Sequence, residues 1–119
     1  MTHDAHDQPT LAMLQMEAMK VKDLFDEMNR KQRARTWTNE EFMLGFVGDV
    51  GDLAKLVMAQ EGAREIPGGL AALGHELADC LWSVLVLSRV YGIDLAEEFL
   101  HTISMLTSHI ESQIAGDQT

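Results

Sequence analysis

Apolar residues return every three or four positions along most of the chain, the period of a helix that buries one stripe. Stretches that alternate apolar with polar residues, as a half-buried strand would, are almost absent. The pattern predicts four helices. The first covers about residues 10–33, with Leu11, Leu14, Met16, Met19, Leu24, Phe25 and Met28 near helical spacing. The second opens on a capping box, Thr38 with Glu41 three residues later, flanked by Trp37 and Phe42 as a hydrophobic staple. It runs to about residue 61, where the glycine-rich stretch 62–69, with Pro67, stops it. The third covers about 70–91 and is apolar on nearly every side at its centre, so it is expected to be the most buried rod. Gly92 suits the left-handed residue that follows a helix end. Asp94 and Glu97 form a second capping-box-like start, and the fourth helix carries Leu95, Phe99, Ile103, Leu106, Ile110 and Ile114 as one stripe.

Four such rods on short connections predict an all-α antiparallel four-helix bundle, a single domain over residues 1–119 with frayed tails at 1–8 and 116–119. The stripe on the fourth helix and the wrap-around apolar third helix exceed what four rods can bury. Oligomerisation, to a homodimer or homotetramer, is therefore expected to complete the bundle.

Composition narrows the function. With 9 Lys and Arg against 19 Asp and Glu, the chain carries −10, the wrong sign for nucleic acid polymers or anionic membrane surfaces. Residues 1–36 balance six basic against six acidic groups, so the whole excess falls on residues 37–119. The one cysteine, Cys80, makes no disulfide within the chain and reads as a core residue. The N-terminus lacks an apolar signal core, and the longest strongly apolar run, 80–87, is far short of the roughly 20 residues a membrane span needs. A soluble, cytoplasmic protein is expected.

Two acid pairs interrupt the apolar sequence. Asp49 and Asp52 lie three apart on the second helix, and Glu76 and Asp79 three apart on the third, so each pair shares a face. An antiparallel hairpin centred on the 62–69 loop brings all four to one level. Carboxylates set among apolar residues need a cation, and an oxygen-rich cluster of this kind suits a hard divalent ion, Mg²⁺ above all. Gly45, Gly48 and Gly51 recur every three residues on the second helix, each costing about 1 kcal/mol relative to alanine. Such a row predicts close approach on that face, by a helix or by a ligand.

The segments Phe46-Val47-Gly48-Asp49-Val50-Gly51-Asp52-Leu53-Ala54-Lys55-Leu56, Glu76-Leu77-Ala78-Asp79-Cys80-Leu81 and Tyr91-Gly92-Ile93-Asp94-Leu95 resemble the all-α nucleoside triphosphate pyrophosphohydrolases. The likeness is greatest to the MazG-like and dCTP-pyrophosphatase branch, and spans about residues 37–100. It implies a hydrolase that splits a nucleoside triphosphate into the monophosphate and pyrophosphate, house-cleaning non-standard or surplus (deoxy)nucleotides. It implies Mg²⁺, with Mn²⁺ as a substitute, held at a catalytic centre by Asp49, Asp52, Glu76 and Asp79. This chain has Asp at both positions of the first pair where the family usually has Glu. The stretch Thr102-Ile103-Ser104-Met105-Leu106 lacks the Lys, Asp and Asn or Arg that the family often carries there. Phosphate contacts would then fall to Lys55, Arg89 or the cluster Arg30, Lys31, Arg33 and Arg35. The same cluster also reads as a solvated helix end, where cations offset the macrodipole.

Trp37, beside that cluster, could stack on a base or anchor the core; Trp82 and Tyr91 read as core anchors. His75 reads as a packing group or a support to the acids, and His3 and His6 as tail residues. The Glu-x-x-His pairs of di-iron bundles and a phosphate-binding glycine loop are missing from the sequence. The alternative to an enzyme is a non-catalytic helical module for oligomerisation or partner binding, its acids a relic or a structural metal site.

Overall fold

The computed structural model describes residues 8–117. Most of the expected tails, with His3 and His6, lie outside the described residues. The chain forms four helices, α1 (Leu11–Arg33), α2 (Asn39–Gln60), α3 (Gly69–Val90) and α4 (Leu95–Asp117), an all-α bundle as the periodicity predicts. Helix α4 is helical through Asp117, two residues into the tail expected from residue 116.

Local chemistry sets each end. Thr10 Oγ1 accepts the Met13 N–H at 3.2 Å and opens α1. The helix closes on Ala34, at φ 60° in the left-handed region, whose N–H donates to Arg30 O at 3.2 Å. At the start of α2, Thr38 Oγ1 accepts from Glu41 N–H at 3.1 Å while Glu41 Oε1 accepts from Thr38 N–H at 3.0 Å, completing the capping box. Trp37 and Phe42 form the staple, with ring centroids 6.3 Å apart.

Glycine is required at two of the connections. Gly68 precedes α3 at φ 113°, and a Cβ there would sit 2.7 Å from that of Ala72. Gly92, at φ 67°, ends α3 in a Schellman motif: its N–H donates to Arg89 O at 3.2 Å and that of Ile93 to Ser88 O at 2.8 Å. Asp94 Oδ1 then accepts from Glu97 N–H at 3.1 Å and opens α4.

Helices α2 and α3 form an antiparallel hairpin and α1 lies antiparallel along α3, so α3 runs between its two neighbours. Gln15 Nε2 donates to Ser88 Oγ at 2.8 Å, and Trp82 Nε1 to Ala18 O at 3.0 Å. The core is small: Ala18, Phe42, Leu85 and Val86 are its buried apolar residues, with Leu14, Trp37, Trp82 and Leu95 among the side chains packed around them. Four aromatic rings close a circuit over it, Trp37–Phe25–Trp82–Phe42, with centroids 5.3 to 6.3 Å apart. Lys22 is buried against this cluster, paired with Asp26 at 2.6 Å and 6.0 Å from the Phe42 ring centre.

Among the described helices α3 has the most buried residues, all in its C-terminal half, where 82–88 are buried or half-buried on every side; Leu70, Leu77 and Leu81 are exposed. By length and composition alone it is apolar enough to cross a membrane, which the short run at 80–87 did not suggest. Here it serves as the central rod, with Glu76 and Asp79 in its middle turns. Tyr91, expected as a core anchor, is 62% exposed, because the Schellman turn carries the chain away from the core at that point. Beyond Leu95, α4 leaves the other helices, and residues 96–116 are all exposed. The radius of gyration, 18.6 Å, accordingly exceeds the roughly 13–14 Å of a compact domain this long.

Candidate metal centre and adjoining recesses

The α2–α3 hairpin brings its acids together. Asp49, Asp52 and Glu76 each offer a carboxylate oxygen, and the three oxygens lie within 4.8 Å of one another. Asp52 is exposed, whereas Asp49 and Glu76 are half-buried between the helices. Glu76 Oε2 is buried and has no hydrogen-bond partner among the described residues. Asp79, one turn further along α3, stands outside the three-oxygen group, with its Oδ2 3.3 Å from His75 Nε2. His75 is otherwise exposed, so it supports an acid and does not pack in the core.

Electrostatics register the crowding. Burial, then Asp79 and Asp52, push the Asp49 carboxyl above its ordinary range. Burial, then Asp79, Asp52 and Asp49, do the same to Glu76, with His75 acting weakly the other way. Cys80, half-buried beside the acids, has its thiol pushed up by burial and by the charges of Asp49, Glu76 and Asp79. That thiol is held in its protonated form.

A metal-free stability profile follows from these shifts. Asp49 and Glu76 hold a proton more tightly folded than unfolded, so folding binds protons and stability falls as pH rises from the ordinary carboxylate range upward. Glu41 acts oppositely: hydrogen bonds from Arg35, then from the Thr38 N–H, lower its pKa to about 2, so its contribution is lost as pH falls from 4.5 towards that value. The metal-free melting temperature should therefore decline as pH rises through and just above the ordinary carboxylate range, and Mg²⁺ should raise it and flatten the decline. Thermal melts across that range, with and without Mg²⁺, measure both. A metal-free midpoint that climbs with pH would contradict the crowding.

Beside a recess of about 480 Å³ between Val21, Phe25, Asp49 and Asp79, two smaller ones flank the acids. One, of about 190 Å³, is walled by Trp37, Phe42, Phe46 and Trp82 and reaches Asp49. The other, of about 220 Å³, lies between Asp52, Glu76, Lys55 and Ile66. Trp37 and Lys55 thus stand on opposite sides of the centre. Arg30, Lys31 and Arg33 are exposed in the last turn of α1, as a solvated helix end would be. Arg35 is engaged: its guanidinium donates to Glu41 Oε1 at 2.7 Å and Oε2 at 3.0 Å, a two-pronged pairing that occupies the group expected to meet a phosphate. Glu41, which the sequence offered only as a cap, also borders the aromatic recess.

Of the two approaches expected at the glycines, that of a helix is not met among the described residues. A Cβ added at Gly45, Gly48 or Gly51 would find nothing within 4 Å. Helix packing inside one copy is therefore not what these residues serve. Gly48→Ala should raise stability by up to about 1 kcal/mol, read by urea denaturation, because it restores helix propensity into open space. A loss of stability would mean that a neighbour absent from the single chain fills that space.

No protein-family model, no curated protein and no solved structure matches the chain.

Proposed function

We propose that this chain is a Mg²⁺-dependent pyrophosphohydrolase that cleaves a nucleoside triphosphate with water into the monophosphate and pyrophosphate, with Mn²⁺ able to substitute. The observation that carries the reading is the convergence of Asp49, Asp52 and Glu76 oxygens within 4.8 Å of one another, from two helices. Asp49, Asp52 and Glu76 would hold the ion through charged oxygen donors, the ligand type a hard divalent cation prefers. The orphaned Glu76 Oε2 and the raised Asp49 and Glu76 carboxyls fit the same ion, since neither carboxyl has a hydrogen-bond or ion-pair partner among the described residues. Asp79, one turn on and paired with His75, would complete the ligand set by turning towards the other three acids.

When bound, a divalent ion supplies charge stabilisation at the phosphates and eases deprotonation of the attacking water. The protein's own residues set the substrate's direction. The aromatic walls at Trp37, Phe42 and Trp82 would take the nucleobase on the Asp49 side. Lys55, on the Asp52 and Glu76 side, would meet the departing pyrophosphate. The role is cytoplasmic and house-cleaning, on non-standard or surplus (deoxy)nucleotides.

The test is a screen of common and modified nucleoside triphosphates for pyrophosphate release in Mg²⁺ and in Mn²⁺. Metal-dependent release from at least one is expected. Silence across the whole set would end the enzyme reading and leave the acids to a structural or vestigial role.

A further inference from the structure

We propose that α4 is an arm that docks into the groove between α1 and α3 of a second copy of this chain. Phe99, Ile103, Leu106, Ile110 and Ile114 form a continuous apolar stripe, and all five are exposed. The chain's accessible surface is 9224 Å², against about 6,400 Å² for a compact monomer of 13.3 kDa. The difference, 9224 minus about 6,400, is about 2,800 Å² per chain. Burying half of it on each chain of a pair already places the contact among obligate interfaces, which cover about 2,000–5,000 Å² or more in total.

The groove supplies the matching surface. Leu14, Ala18 and Val21 of α1 face Ala78, Leu81 and Leu85 of α3 across an open, almost wholly apolar channel. The alanines keep its floor low enough for a helix to settle. The channel continues past Phe25 towards His75 and Asp79, so an occupant would border the acid centre. From residue 14 to residue 25, α1 spans about 17 Å at 1.5 Å per residue. The uncharged segment of α4, residues 99–110 between Glu98 and Glu111, has the same length.

Charge selects among the surfaces of the second copy. Helix α4 carries four acids and no Lys or Arg, and α2 carries four acids and one Lys, so α4 against α4 or α2 sets like charges together. The helices that wall the groove are neutral in sum, α1 with five basic and four acidic residues and α3 with one basic and two acidic, so it repels α4 least. Because stripe and groove lie on the same chain, a two-fold axis satisfies both at once and closes the assembly.

Light scattering on the full chain at micromolar concentration should return twice 13.3 kDa or a multiple of it. Leu106→Glu should shift that mass to 13.3 kDa while leaving the far-ultraviolet circular dichroism unchanged, since Leu106 makes no part of the core. In a Cys80→Ala background, copies bearing Leu106→Cys should form a disulfide with copies bearing Leu81→Cys, and should do so at least tenfold more than with each other. A wild-type mass of 13.3 kDa, an unaltered assembly in Leu106→Glu, or Leu106→Cys copies that link mainly to one another would each overturn the proposal.

Discussion

Glu76→Gln is expected to lower metal-dependent pyrophosphate release at least a hundredfold while leaving the helices in place. Among the acids, Glu76 combines membership of the three-oxygen group with a buried, unpartnered oxygen. Glutamine keeps the side chain's length and helix propensity but offers a neutral carbonyl oxygen in place of one charged ligand. Loss of charge stabilisation at a metal-held phosphate commonly costs several kcal/mol of barrier, and a hundredfold in rate is the lower end of that scale. The metal-free variant should be as stable as the parent or more so, because burial and the Asp79, Asp52 and Asp49 charges all oppose ionisation of Glu76. Rate and metal-free stability therefore move in opposite directions. A variant that loses both would mark Glu76 as a structural group, and one that keeps its rate would remove it from the centre.

The elements were legible because their signals are local. The Thr38–Glu41 box, the Trp37–Phe42 staple and the left-handed Gly92 each depend on residues within a turn of one another, and each forms as its spacing predicts. The convergence of Asp49, Asp52 and Glu76 was legible for a related reason: one short loop fixes the register of an antiparallel hairpin. Orientation between side chains was not. That Asp79 turns to His75, and Arg35 to Glu41, depends on rotamers that spacing does not encode. Nor did the pattern mark Lys22 and Asn29, which are buried on α1 at positions polarity would assign to solvent. The glycine row misled because a missing side chain has the same sequence signature whether a neighbour fills the gap or open space does. The stripe on α4 was visible, but its partner surface lies on no neighbouring segment of sequence.

Trp82→Ala is expected to cost about 2–3 kcal/mol, at or below the low end of the range for a fully buried aromatic side chain, because Trp82 is half-buried. Trp82 joins the two halves of the core: its ring lies 5.7 Å from Phe25 on α1 and 5.3 Å from Phe42 on α2, and its Nε1–H donates to Ala18 O. Trp82 also borders open recesses, so truncation leaves space that water can enter and the cavity term falls below its full size. Trp82→Phe separates the two contributions. It keeps an aromatic ring in the circuit and gives up the bond to Ala18, so it should cost nearer 1 kcal/mol. Urea denaturation at one fixed protein concentration gives both values, because any coupled assembly makes the midpoint depend on concentration. A Trp82→Ala cost below about 1 kcal/mol would show that the aromatic circuit does not hold the three packed helices together. An equal cost for both variants would shift the weight from ring packing to the single hydrogen bond.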